Sequence, residues 1–149
     1  MAKRKELQEL LVVLKKEQKQ AIDRYEKTKN DADEIERASA GTFSQAGDRV
    51  HSRGQADISY ENLKRIKILI KEVKASLDER IDKIKPPCFV LLKGEGGELN
   101  EFFLVSSPVH LENIKLVSKA SALGKKLLGK KVSNFITIDN SSFEVTLVN

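Results

Sequence analysis

Ile84-Lys85-Pro86-Pro87-Cys88-Phe89-Val90-Leu91-Leu92 is the stretch in which the chain changes its period. Ahead of it, apolar residues recur at spacings of three and four. Behind it, they come in short runs separated by turn residues. Neither proline can continue a helix, and each biases the residue before it toward extended geometry. A helix is therefore expected to stop here and a sheet to begin. The expected fold class is α+β, with a helical arm over residues 1–85 and a small sheet domain over residues 88–149.

The helical half carries two seams. Leu7, Leu11, Leu14, Gln18, Ala21, Tyr25, Thr28, Ala32 and Ile35 alternate spacings of four and three, the heptad pattern of a coiled coil. The second seam runs Ala56, Ser59, Leu63, Ile66, Ile70, Val73 and Leu77, with Ile81 and Ile84 after a shift. Residues 39–54 lie between them and hold Gly41, Gly47 and Gly54 among small polar residues, so they read as the turn at the tip. Two such helices around one turn predict an antiparallel hairpin. At the α-helical rise, ~32 residues per helix give an arm of roughly 48 Å.

The second half reads as strand, turn and strand. Phe89–Leu92 is followed by the turn Gly94-Glu95-Gly96-Gly97, then by strands at Phe102–Val105 and Ile114–Val117. A short helix is expected from Ser121 to Leu128, capped by Ser121 and stopped by Gly129. Phe135–Ile138 and Phe143–Val148 form a last hairpin. The result is a small antiparallel sheet with one helix and one covered face, with one of Phe102 and Phe103 in the core and the other exposed.

Composition narrows the function classes. The net charge is +5, and residues 1–86 carry 20 Lys and Arg against 16 Asp and Glu. Basic and acidic residues interleave, which favours a solvated surface over a nucleic-acid groove. The single cysteine, Cys88, forms no internal disulfide and reads as a small buried residue. No Cys/His cluster suits zinc. The apolar run Leu10–Leu14 is too short for a membrane span or a signal peptide, so a cytoplasmic monomer is expected.

Val117-Ser118-Lys119-Ala120-Ser121-Ala122-Leu123-Gly124-Lys125-Lys126-Leu127-Leu128-Gly129-Lys130-Lys131-Val132 resembles the signature of the GreA/GreB transcription elongation factors. Their pattern runs Ser-Pro-(apolar)-Ala/Gly-x-x-Leu-(apolar)-Gly-Lys after a strand, and Ala122 stands where the proline is usual. The order of elements matches as well. The resemblance implies a bacterial factor with an FKBP-like C-terminal domain that docks on RNA polymerase at its secondary channel. Ser121, Leu123, Lys125, Lys126, Gly129 and Lys130 are the docking region by this reading. The arm would enter the channel and approach the nascent RNA 3′ end.

In that family, acidic residues at the tip help to hold a Mg²⁺ shared with the polymerase active site. The polymerase, not the factor, is the enzyme. The family pattern at the tip is Gly-Asp-x-x-Glu-Asn, and Gly47-Asp48-Arg49-Val50-His51-Ser52 can be laid on it. Asp48 matches as the metal-ligating, catalytic carboxylate, and His51 replaces the glutamate. Imidazole is a poor Mg²⁺ ligand. The resemblance therefore implies docking on the polymerase more firmly than stimulation of RNA cleavage.

Plainer readings stand beside these. Asp48 suits a turn, and His51, Arg49 and Arg53 suit an exposed tip. Asp31, Asp33, Glu34 and Glu36 suit a solvated face, and the lysines after Ser121 suit a helix C-terminus. The alternative functions are a coiled-coil adaptor and a Gre-like polymerase inhibitor without cleavage activity. A prolyl isomerase is disfavoured, because the second half has few aromatic residues and the chain has no tryptophan.

Overall fold

The computed structural model describes the backbone of residues 4–38 and 46–149, and the side chains of residues 4–31 and 57–149. It has two long helices, α1 (Lys5–Ala38) and α2 (Ala46–Ser76), followed by a curled mixed sheet of five strands. The strands are β1 (Cys88–Gly94), β2 (Leu99–Val105), β3 (Leu116–Ser118), β4 (Phe135–Ile138) and β5 (Ser141–Val148). A short helix, α3 (Ala122–Leu127), lies between β3 and β4. Helix α2 begins at Ala46, so half of the stretch expected to form the turn is helical. It ends at Ser76, well ahead of the prolines expected to stop it.

The chain forms two compact units: residues 14–68, and residues 1–13 together with 69–149. In the first unit, Leu14, Ala21, Leu63 and Ile66 are buried, as the heptad spacing requires. The Tyr25 and Tyr60 rings pack at 5.7 Å with a tilt of 50°, an edge-biased arrangement that suits their quadrupoles. On α1, Glu17 and Arg24 form an exposed ion pair at 2.6 Å, two turns apart. Such surface pairs add little to stability.

In the second unit, the first residues of α1 and the last of α2 bury Leu7, Leu10, Leu69, Ile70 and Val73. Leu10, not the Leu11 of the expected seam, is the fully buried position. The reason is tertiary. Leu10 lines a cleft with Phe89, Leu91 and Phe103 of the sheet, so this end of α1 has a second apolar neighbour beyond the seam.

The sheet order is β3-β2-β1-β5-β4, and every pairing is antiparallel except β2 with β3. The sheet is therefore mixed where an antiparallel one was expected: the ten-residue connection from β2 to β3 is long enough to bring the chain back in the same direction. In β1, Cys88, Val90 and Leu92 point to the main core, where they meet Phe102, Leu104, Val145, Leu127 and Ile136. Phe89 and Leu91 point the other way, as the two-residue period of a strand demands. Phe103 pairs with Phe89 across the strands, and the rings meet edge to face at 5.3 Å. Phe102 and Phe103 are both buried, so neither is the exposed aromatic expected from strand alternation. The start of α1 lies along part of the second face, leaving a cleft in which Phe89 and Leu91 are half-buried and Leu147 is exposed.

Ile81 and Ile84 also leave the expected seam. Beyond α2 the chain turns at residues 77–78 and leaves the helix, and Ile84 is buried in the sheet core with Ile81 packed against it. The Ile84 amide donates to the Lys130 carbonyl at 2.8 Å, and the Gly129 amide donates back to Ile84 at 2.9 Å. Residues ahead of the proline pair are thus part of the sheet's packing.

Candidate functional site

The docking candidates cluster around α3, and local chemistry explains their places. The Ser121 hydroxyl accepts from the Gly124 amide at 3.0 Å and donates to the Ser118 carbonyl at 2.7 Å. It therefore caps α3 and ties it to the end of β3. Gly124 is buried where a Cβ would stand 2.1 Å from the Ser118 carbonyl oxygen. Only glycine permits this approach of helix to strand. Gly129 has φ of +81°, the left-handed conformation that ends a helix. Leu123 packs against the sheet core. All four hold α3 in place; Gly124 is buried, Ser121 and Leu123 are half-buried, and Gly129 is exposed.

The presented surface comprises Lys125, Lys126 and Lys130. They line a shallow groove of about 520 Å³ together with Leu128, Phe135, Ile136 and Thr137. The Lys126 ammonium donates to the Thr137 carbonyl at 2.7 Å, which places a charge on the outer strand β4. Such a lysine also discourages strand-on-strand pairing at a sheet edge. Phe135 is 63% exposed and Leu128 is 41% exposed, so an apolar centre sits inside the lysines. Sequence reasoning missed both residues as surface features. The period of β4 could have found Phe135, because Ile136 alternates inward.

Asp48 and His51 lie three residues apart at the start of α2, and their side chains fall outside the described residues. The same holds for Arg49, Arg53, Asp33, Glu34 and Glu36. Asp31, at the edge of this region, is exposed. Among the described residues, no group of three or more His, Cys, Asp or Glu is placed to hold a metal ion.

Arg4 is a residue with no local signal in the sequence. Its side chain is only 6% exposed, and it donates to the Ser76 carbonyl at 3.2 Å and to the Pro87 carbonyl at 2.9 Å. Burial lowers its pKa from the usual guanidinium value, with Cys88, Glu79 and Glu6 opposing the shift. Among the described residues, its Nε has no hydrogen-bond partner. Nearby, burial pushes the Cys88 thiol up to about 11. A thiol so placed is a packing group, not a nucleophile.

No family model matches the chain, and no curated protein matches it. Among solved structures, the chain is similar to that of the transcription factor Gfh1, with a TM-score of 0.41 and 18% identity. The match covers 93% of this chain and 92% of that one. Among the described residues, no helix is long and apolar enough to cross a membrane.

Proposed function

We propose that this chain is a Gre-type transcription factor, which docks on RNA polymerase through its α3 region and reaches into the secondary channel with its helical arm. The observation that carries the reading is the geometry of the signature itself. Ser121, Gly124 and Gly129, which anchor the resemblance, are the positions at which the cap, the close approach and the left-handed stop each demand that residue type. By this reading the sheet domain is FKBP-like.

The arm is an antiparallel hairpin in this proposal. Within residues 14–68, the packing of Tyr25 of α1 on Tyr60 of α2 supports it.

At the tip, the donor set offers a second Mg²⁺ one of the two carboxylates that the family pattern supplies. Asp48 offers one hard carboxylate, and His51 offers nitrogen where the family has a second carboxylate. We therefore infer that the factor modulates paused or backtracked complexes by occupying the channel, and that it stimulates cleavage weakly or not at all. The test is a stalled, backtracked complex with purified polymerase from the same organism. Binding without Mg²⁺-dependent cleavage is expected, with cleavage gained in His51→Glu and any residual activity lost in Asp48→Asn. Failure to co-purify with core polymerase would instead favour the coiled-coil adaptor. Robust cleavage that survives Asp48→Asn would show that other acids serve the metal.

A further inference from the structure

We propose that the cleft between the start of α1 and the second sheet face is a self-association site, which receives the α3–β4 edge of a second copy of this chain. The cleft measures about 530 Å³, and Phe89, Leu91 and Leu147 contribute its apolar surface. Among the described residues its rim is acidic, with Glu6, Glu9 and Glu101 against the ammonium of Lys5. Glu9 and Glu101 are exposed, while Glu6 accepts from the side-chain amide of Asn149. Carboxylates around an apolar floor select an apolar side chain flanked by cations.

The same unit carries such a surface elsewhere. On the α3–β4 edge, Phe135 and Leu128 project among Lys125, Lys126 and Lys130; among the described residues no carboxylate lines that groove, and Glu144 pairs with Phe135 beside it across β4 and β5. The two surfaces are opposite in charge and alike in their apolar centres. They use different residues, so the contact is head-to-tail: one copy's edge enters the next copy's cleft and leaves its own cleft open. Patches this small fall below about 1,000 Å² of buried area, which makes the association weak and concentration-dependent. Its rim charges make it salt-sensitive. This inference does not rest on the polymerase reading. If both hold, self-association covers the docking edge and competes with polymerase.

The experiment is sedimentation velocity of the full chain from about 10 µM to about 1 mM, the range in which small interfaces associate. The weight-average mass should rise with concentration and fall back when salt is added. The double variants Glu9→Gln/Glu101→Gln and Lys130→Gln/Phe135→Ser change exposed or half-buried side chains, and circular dichroism verifies that both fold. Each alone should need at least about tenfold more protein to associate. Mixed together, they should form a 1:1 pair that grows no further, because one sound cleft meets one sound edge. A wild-type chain that is monomeric throughout overturns the proposal. So does association unchanged in both variants, or a mixture that does not pair. A monomer whose cleft binds a basic amphipathic peptide would assign the cleft to another protein's segment, which also overturns it.

Discussion

The Arg4 guanidinium donates to the Pro87 carbonyl at 2.9 Å while its backbone amide donates to the Leu77 carbonyl at 3.2 Å. One residue at the start of α1 therefore holds both the end of α2 and the entry to β1. Removing it would leave the Pro87 carbonyl buried without its donor and the Ser76 carbonyl with the Glu79 amide alone, alongside a cavity. Arg4→Ala should lower unfolding stability by about 2–4 kcal/mol, the scale for losing a buried charged donor. Arg4→Met should cost less, because it fills the space and removes a costly buried charge. Urea unfolding checks both, and equal losses would show that the hydrogen bonds, not the packing, dominate.

Ile84 precedes the prolines yet belongs to the sheet core. Ile84→Ala should destabilise the sheet by about 2–4 kcal/mol, the usual cost of emptying a buried isoleucine site. Amide exchange in β1 and β5 should report that loss. By the same argument, a chain cut down to residues 88–149 lacks Ile84, Leu10 and the Arg4 clamp, and it should not unfold cooperatively. A well-dispersed NMR spectrum from that fragment would show that the sheet needs none of them.

Gly124 and Ser121 give an ordered pair of expectations. Gly124→Ala places a Cβ against the Ser118 backbone, which no rotamer change can relieve, and should cost about 3 kcal/mol. Ser121→Ala removes one cap and should cost about 1 kcal/mol. Thermal unfolding of the two variants decides the order. The reverse order would mean that α3 shifts readily on β3.

Cys88 makes stability depend on alkaline pH. Its folded pKa is raised to about 11 by burial, so the folded thiol keeps its proton where the unfolded chain releases it. The unfolded state then binds fewer protons, and stability falls as pH rises. The loss should begin near the ordinary thiol value of about 8.5 and run at up to about 1.4 kcal/mol per pH unit until pH reaches the folded pKa. Cys88→Ala should be less stable than the wild type at neutral pH, and this deficit should shrink between pH 9 and 11. Urea unfolding at each pH measures it; a constant difference would show that the thiol titrates alike in both states.

Local chemistry was legible in the sequence. Spacing placed Leu7, Leu14, Ala21, Leu63, Ile66, Ile70 and Val73 on buried helix faces, and short apolar runs placed the strands close to their observed positions. Ser121 and Gly129 announced the ends of α3, because a cap and a left-handed stop depend only on neighbours within one helical turn. What the tertiary structure alone decided involves residues far apart in the chain. Leu10 is buried instead of Leu11, and Phe103 is buried alongside Phe102, because the start of α1 meets the second face of the sheet. Ile84 abandons the helical seam because the Gly129 and Lys130 backbone offers it hydrogen bonds and the sheet core offers it a place. Phe135 becomes a surface among lysines only once β4 lies beside the end of α3. Periodicity records which face of an element is apolar, but it carries no information about how many neighbours that element will meet. Residues with two neighbours, or with a distant one, take their roles from the packed chain.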